Sequence, residues 1–78
     1  MSEADKMLEE LGYVKIVENN IKILYEKEGN FWDKEISFDL IDKQIRVETS
    51  SSGDSESITM QELQAINKKV EELGWLDE

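Results

Sequence analysis

Between residues 13 and 49 the apolar positions recur with a period of two, and three turn pairs interrupt them: Asn19-Asn20, Gly29-Asn30 and Asp42-Lys43. Asn and Gly tolerate the positive φ that two-residue hairpin turns need; Asp42-Lys43 carries less of that signature. Each turn fixes a register. The first sets Ile16 opposite Ile23 and Val14 opposite Tyr25. The second sets Ile23 opposite Ile36 and Ile21 opposite Phe38, and the third sets Phe38 opposite Val47 and Leu40 opposite Ile45. All of these residues fall on one face, whereas a slip of one residue in any hairpin would turn half of them to the other side. The expectation is a four-stranded antiparallel meander with strands near 13–18, 21–28, 31–41 and 44–49.

At both ends of the chain the period becomes helical. Ile58-Thr59-Met60-Gln61-Glu62-Leu63 reads as a helix start. Thr59 and Glu62 form a reciprocal capping box, and Ile58 is placed to pack on Leu63 as a hydrophobic staple. Met60, Leu63, Ile66, Val70 and Leu73 form one stripe, and Gly74 supplies the left-handed residue that ends the helix. Glu9-Glu10-Leu11-Gly12-Tyr13 repeats the stop seen in Glu71-Glu72-Leu73-Gly74-Trp75. A short first helix therefore ends near Leu11, with Ser2 and Asp5 as capping residues and Ala4, Met7, Leu8 and Leu11 on one face.

The element order is α-β-β-β-β-α. One sheet face is apolar and two amphipathic helices have stripes to bury, so the expected fold is a two-layer α+β sandwich with both helices on one sheet face. A chain of 78 residues is read as a single domain, residues 1–78. A domain of this size buries only about 60% of the surface its unfolded chain exposes. With no cysteine to form a disulfide, stability has to come from good local structure or from a second subunit.

Composition narrows function by removing chemistry. The chain has no His, Cys or Pro, and its nineteen carboxylates outnumber nine bases for a net charge of −10. Imidazole, thiolate and the ligands most used for zinc are absent. Ser50, Ser51, Ser52, Ser55 and Ser57 have no histidine to activate them and no strand–Ser–helix elbow around them. No phosphate-cradling glycine loop is present, and the Ser50–Ser57 loop lacks the alternating acidic spacing of a calcium loop. The expectation is a protein that is not an enzyme and uses no cofactor or metal. A charge of −10 disfavours direct binding to nucleic acid or to anionic membrane surfaces. No stretch approaches the length of a membrane span and the N-terminus lacks a signal pattern, which gives the cytoplasm as the expected location.

The second sheet face is where function is sought. The expected registers place Tyr13, Lys15, Val17, Lys22, Leu24, Glu26, Glu28, Phe31, Asp33, Glu35, Ser37, Asp39, Arg46 and Glu48 there. Glu26 lies opposite Asp33, with Glu28 and Glu35 nearby, and Asp39 opposite Arg46 reads as an ordinary ion pair. Like charges facing each other across strands destabilise the pair. Three readings are open: a solvated face that is acidic because the whole chain is acidic, a docking face for a basic partner, and a carboxylate metal or acid/base site. The last needs a cleft that separates two pKa values, and a flat sheet offers none. Phe31 and Trp32 flank the Gly29-Asn30 turn, where one of the two must point to the acidic side; Phe31 is the candidate, as packing or as an interface anchor. The charge is spread almost evenly along the chain, about −3 each from residues 3–10, 26–43, 48–56 and 62–78. That spread argues against a dedicated DNA mimic.

The run from Ile58 to Trp75, together with Leu8-Glu9-Glu10-Leu11-Gly12-Tyr13, resembles small uncharacterised proteins encoded by phages and prophages of Gram-positive bacteria (Firmicutes). About a third of the chain carries the resemblance, at its two ends, mostly in helix-cap and core residues. It implies a host-interaction or accessory role, including inhibitors that present an acidic surface to DNA-binding targets, and it brings no active site.

The sequence thus gives an expectation of a small acidic interaction protein in the bacterial cytoplasm. It would engage a basic protein surface, such as a nucleic-acid-binding host protein, through Glu26, Glu28, Phe31, Asp33, Glu35, Asp39 and Glu48. The alternative is a structural or assembly protein that forms homo-oligomers, or packs on another subunit, through the open face at Val17, Leu24 and Phe31.

Overall fold

The computed structural model describes residues 2–29, 33–49 and 58–75. The order is α1 (Glu3–Glu10), β1 (Val14–Glu18), β2 (Lys22–Glu28), β3 (Asp33–Asp39), β4 (Gln44–Thr49) and α2 (Met60–Glu72). The strands form one antiparallel sheet in the order β1-β2-β3-β4. The fold is α+β with the expected α-β-β-β-β-α order. Two compact units are present: α1 and α2, from the two ends of the chain, form one, and the sheet forms the other. Asn30, Phe31, Trp32 and the Ser50–Ser57 loop, about which the sequence carries expectations, lie outside the described residues.

In the helix unit the caps form as the sequence predicts, except that Ser2 alone caps α1 while Asp5 lies inside the helix and turns its carboxylate to Lys69. The Ser2 hydroxyl accepts the Asp5 amide at 3.0 Å and caps α1. Thr59 accepts the Glu62 amide at 3.0 Å, while the Glu62 carboxylate accepts the Thr59 amide at 2.9 Å, completing the capping box of α2. Both helices stop at a glycine of positive φ, Gly12 (100°) and Gly74 (78°). Each glycine amide donates to the carbonyl three residues back, Glu9 and Glu71 respectively, at 3.0 Å. This left-handed turn is the conformation glycine adopts without a Cβ penalty.

The buried stripe of α2 is rotated from the expected one. Glu62, Ala65, Ile66, Lys69 and Val70 are buried, whereas Met60 and Leu63 are exposed. The staple residue Ile58 is likewise exposed. Contacts to α1 explain the rotation. The Lys69 ammonium meets the Asp5 carboxylate at 3.3 Å with both side chains largely buried, and the Glu72 carboxylate accepts the Ala4 amide at 3.0 Å. The first turn of α1 therefore sits against the last turns of α2, where its orphan amides find acceptors. Ala4 and Leu8 of α1 are fully buried, as expected.

In the sheet unit the buried face carries Ile23, Tyr25, Ile36 and Phe38. Tyr25 and Phe38 meet edge to face at 5.9 Å. All three hairpin registers differ from expectation. β2 and β3 pair Ile23 with Phe38 and Tyr25 with Ile36; β3 and β4 pair Ile36 with Val47 and Phe38 with Ile45. Both shifts amount to two residues, so every side chain keeps its face.

At the β1–β2 and β3–β4 connections the cause lies in the turns. Asn19 Oδ1 accepts the amides of Ile21 and Lys22 at 2.8 and 2.9 Å, and Asp39 Oδ1 accepts those of Ile41 and Asp42 at 3.0 and 3.1 Å. An Asx side chain that satisfies two amides holds a longer loop than a two-residue turn, without positive φ at its own position. Among the described non-glycine residues only Lys43, at 57°, takes positive φ.

β1 departs further. Next to the turn it pairs Val17 with Leu24 and Glu18 with Ile23; a bulge at Ile16 then sets Lys15 opposite Tyr25 and Val14 opposite Glu26. The extra residue inverts the far half of the strand. Val14 and Ile16, expected inside, are exposed, and Tyr13, expected on the open face with Lys15, is buried. The exchange puts a larger apolar body in the buried position, and the Lys27 ammonium sits 5.8 Å from the centre of the Tyr13 ring.

Candidate partner-binding face

The observed registers arrange the open sheet face in rows across the strands. At the end beside the β2–β3 connection, Glu28 faces Asp33. In the next row Glu26 faces Glu35, and Glu35 faces Glu48. Val14 closes that row on β1. The third row reads Val17, Leu24, Ser37 and Arg46, and the fourth Lys22, Asp39 and Gln44. Adjacent strands lie about 4.8 Å apart, and rows two residues apart are separated by roughly 6.8 Å. Five carboxylates thus occupy one end of the face, and the two bases Lys22 and Arg46 occupy the other.

The sequence-derived neighbours change accordingly. Glu26 faces Glu35 rather than Asp33, because the β2–β3 connection is longer than Gly29-Asn30 alone. Arg46 faces Ser37 rather than Asp39, and its guanidinium reaches Glu48 at 3.8 Å. Asp39 lies in the fourth row, away from the acidic end, and its Oδ1 is engaged by the turn amides. Its place is explained by the loop it holds. Glu26, Glu28, Asp33, Glu35 and Glu48 are brought together, while Phe31 lies outside the described residues.

Crowding shows in the electrostatics of the central member. The Glu26 carboxyl is held above its ordinary value, first because neighbours shield it from water, then because the charges of Glu28, Asp33 and Glu35 oppose its ionisation and Glu28 can share its proton. Among the described residues no three carboxylates converge closely enough to hold a metal ion. At the other end of the face a depression of about 230 Å³ is lined by Lys22, Ser37, Asp39, Gln44 and Arg46 with Ile21 and Ile45. That is smaller than the roughly 300–1,000 Å³ of ordinary small-molecule sites.

Sequence reasoning identified the acidic residues but not their alignment, and it placed Val14 on the wrong face. The Asx residues at Asn19 and Asp39 were the available signal for longer turns. No helix among the described residues is long and apolar enough to cross a membrane. Comparison of the chain with protein-family models, with curated proteins and with solved structures finds no match.

Proposed function

We propose that this protein is a non-enzymatic interaction module whose acidic sheet face docks on a basic protein surface in the bacterial cytoplasm, in a host-interaction role of the phage type. The observation that carries the reading is the row Glu26–Glu35–Glu48 beside the pair Glu28–Asp33. Like charges directly opposite one another cost stability, and a partner's Lys and Arg side chains would turn that cost into attraction. Carboxylates set in rows suit a surface that itself binds phosphates, so nucleic-acid-binding proteins are the first partners to test. Complementary charge of this kind governs encounter rate and register.

The test is capture from bacterial lysate with the wild-type chain and two variants of equal charge change. Glu28→Lys with Glu35→Lys disrupts the rows. Glu9→Lys with Glu10→Lys, at exposed positions on α1, controls for net charge. Glu71 and Glu72 are unsuitable as controls, because Glu71 bridges Lys68 at 3.6 Å and Glu72 accepts the Ala4 amide. The reading expects a basic protein retained by the wild type and the control, lost with the sheet-face variant, and eluted by salt. Equal retention by both variants would sink it.

A further inference from the structure

The two edges of the sheet are built differently. β1 is blunted twice: the bulge at Ile16 breaks its ladder, and Lys15 and Glu18 place charges on the side of Tyr25 and Ile23. Both are devices that keep an edge from pairing with another chain. β4 has neither. Its residues from Gln44 to Thr49 pair with β3 without irregularity, and no described strand lies on its outer side. On the side of Phe38 it carries Ile45, Val47 and Thr49, none of them charged, and Ile45 is 39% exposed.

We propose that two copies of the chain pair through β4, antiparallel about a two-fold axis at Val47, and extend the sheet across that axis. The register follows from the sequence Gln44-Ile45-Arg46-Val47-Glu48-Thr49. A two-fold axis normal to the sheet keeps equivalent faces together, so only registers shifted by even steps are allowed. Centring on Val47 sets each Arg46 opposite the second copy's Glu48, Val47 opposite Val47, and Ile45 opposite Thr49. The neighbouring centre at Arg46 sets Arg46 on Arg46, and the centre at Glu48 sets Glu48 on Glu48. Only the Val47 register pairs opposite charges, and it does so twice. Arg46 and Glu48 are well exposed, with side chains 73% and 56% accessible and a mutual contact of only 3.8 Å, so both can reach across. The pairing goes beyond the docking proposal, since it uses the edge and joins two acidic faces into one.

Each copy carries −10, which opposes association at long range. Sedimentation is therefore measured near 0.15 M salt, where charges beyond about 8 Å are screened. The wild type should show a concentration-dependent dimer. Arg46→Glu and Glu48→Arg should each weaken it by at least about tenfold, because both cross-strand pairs become repulsive. Mixed one to one, the two variants should recover a dimer. The acid introduced at position 46 of one copy then faces the base introduced at position 48 of the other, and the retained Glu48 of the first copy faces the retained Arg46 of the second. A second measurement does not depend on charge. The chain has no cysteine, so in Val47→Cys any disulfide joins two copies, and oxidation should cross-link it faster than Arg46→Cys or Glu48→Cys. A wild type that stays monomeric, a dimer indifferent to both reversals, a mixture that stays monomeric, or equal cross-linking at the three positions would overturn the proposal.

Discussion

The helix unit and the open sheet face spend their carboxylates in opposite ways. In the helix unit Asp5 meets Lys69, Glu3 meets Lys68 at 3.4 Å, Glu72 accepts an amide of α1 and Glu62 closes the capping box. Each of those charges has a structural reason. On the sheet face Glu26, Glu35 and Glu48 stand side by side, and among the described residues the only base in an adjacent row is Arg46. The contrast separates acidic residues that the fold needs from those it only tolerates, and the second set is where a partner is expected.

The strongest way to break this contrast is to remove a charge that should be structural. Lys69→Ala leaves the shielded Asp5 carboxylate without its cation and should cost about 3 kcal/mol in urea melts. A neutral result would mean that charges in the helix unit are as dispensable as those on the sheet. Thr59→Ala removes half of the capping box and should cost about 1 kcal/mol, with the circular dichroism of the folded state unchanged.

The turns come next. Asp39→Ala releases two amides and should cost about 1 kcal/mol, whereas Asp39→Asn, which keeps the accepting oxygen, should be nearly neutral. If both changes were equally costly, Asp39 would be acting through its charge.

On the sheet face the sign should reverse. Glu35→Lys faces Glu26 and Glu48 at once and should stabilise by a few tenths of a kcal/mol at low salt, a gain that fades as salt rises. Destabilisation would place a structural partner at Glu35 and erase the contrast.

The smallest effect is a pH dependence. The Glu26 pKa is raised in the folded protein above the ordinary 4.5, so the folded state takes up a proton before the unfolded chain does. Glu26 therefore makes the protein more stable as pH falls through the raised value towards 4.5, and the relief is complete below it. Comparing Glu26→Gln with the wild type in melts from pH 7 to pH 4 should show the variant ahead at neutral pH and the difference closing on acidification. Lys68 works the other way, at the far end of the scale. Its bond to Glu3, with the charges of Glu3 and Glu71, raises its pKa above 10.5, so its contribution is present at neutral pH and is lost only as alkaline pH passes that raised value.

The helix caps, the helix stops and the strand order were legible in the sequence because each rests on residues adjacent in the chain. Thr59 and Glu62 are one turn apart, and Gly12 and Gly74 need no partner to adopt positive φ. The faces of β2, β3 and β4 were legible too, since side chains alternate along any strand. The registers were not. A period of two cannot distinguish a strand from itself moved by two residues, and at the β1–β2 and β3–β4 connections the oxygens of Asn19 and Asp39 hold the longer turns that set the register. The bulge at Ile16 was equally hidden, because the Tyr13 ring that it buries meets Lys27 of the neighbouring strand, a residue distant in sequence.

The candidate site divides along the same line. Sequence alone determined that Glu26, Glu28, Asp33, Glu35 and Glu48 share a face, because face follows from strand parity, a local property of the backbone. Only the tertiary structure decided that residues 26, 35 and 48 stand in one row. A charge that is spread evenly along the chain is gathered by antiparallel pairing, which sets residues distant in sequence about one strand spacing apart, where their charges interact strongly.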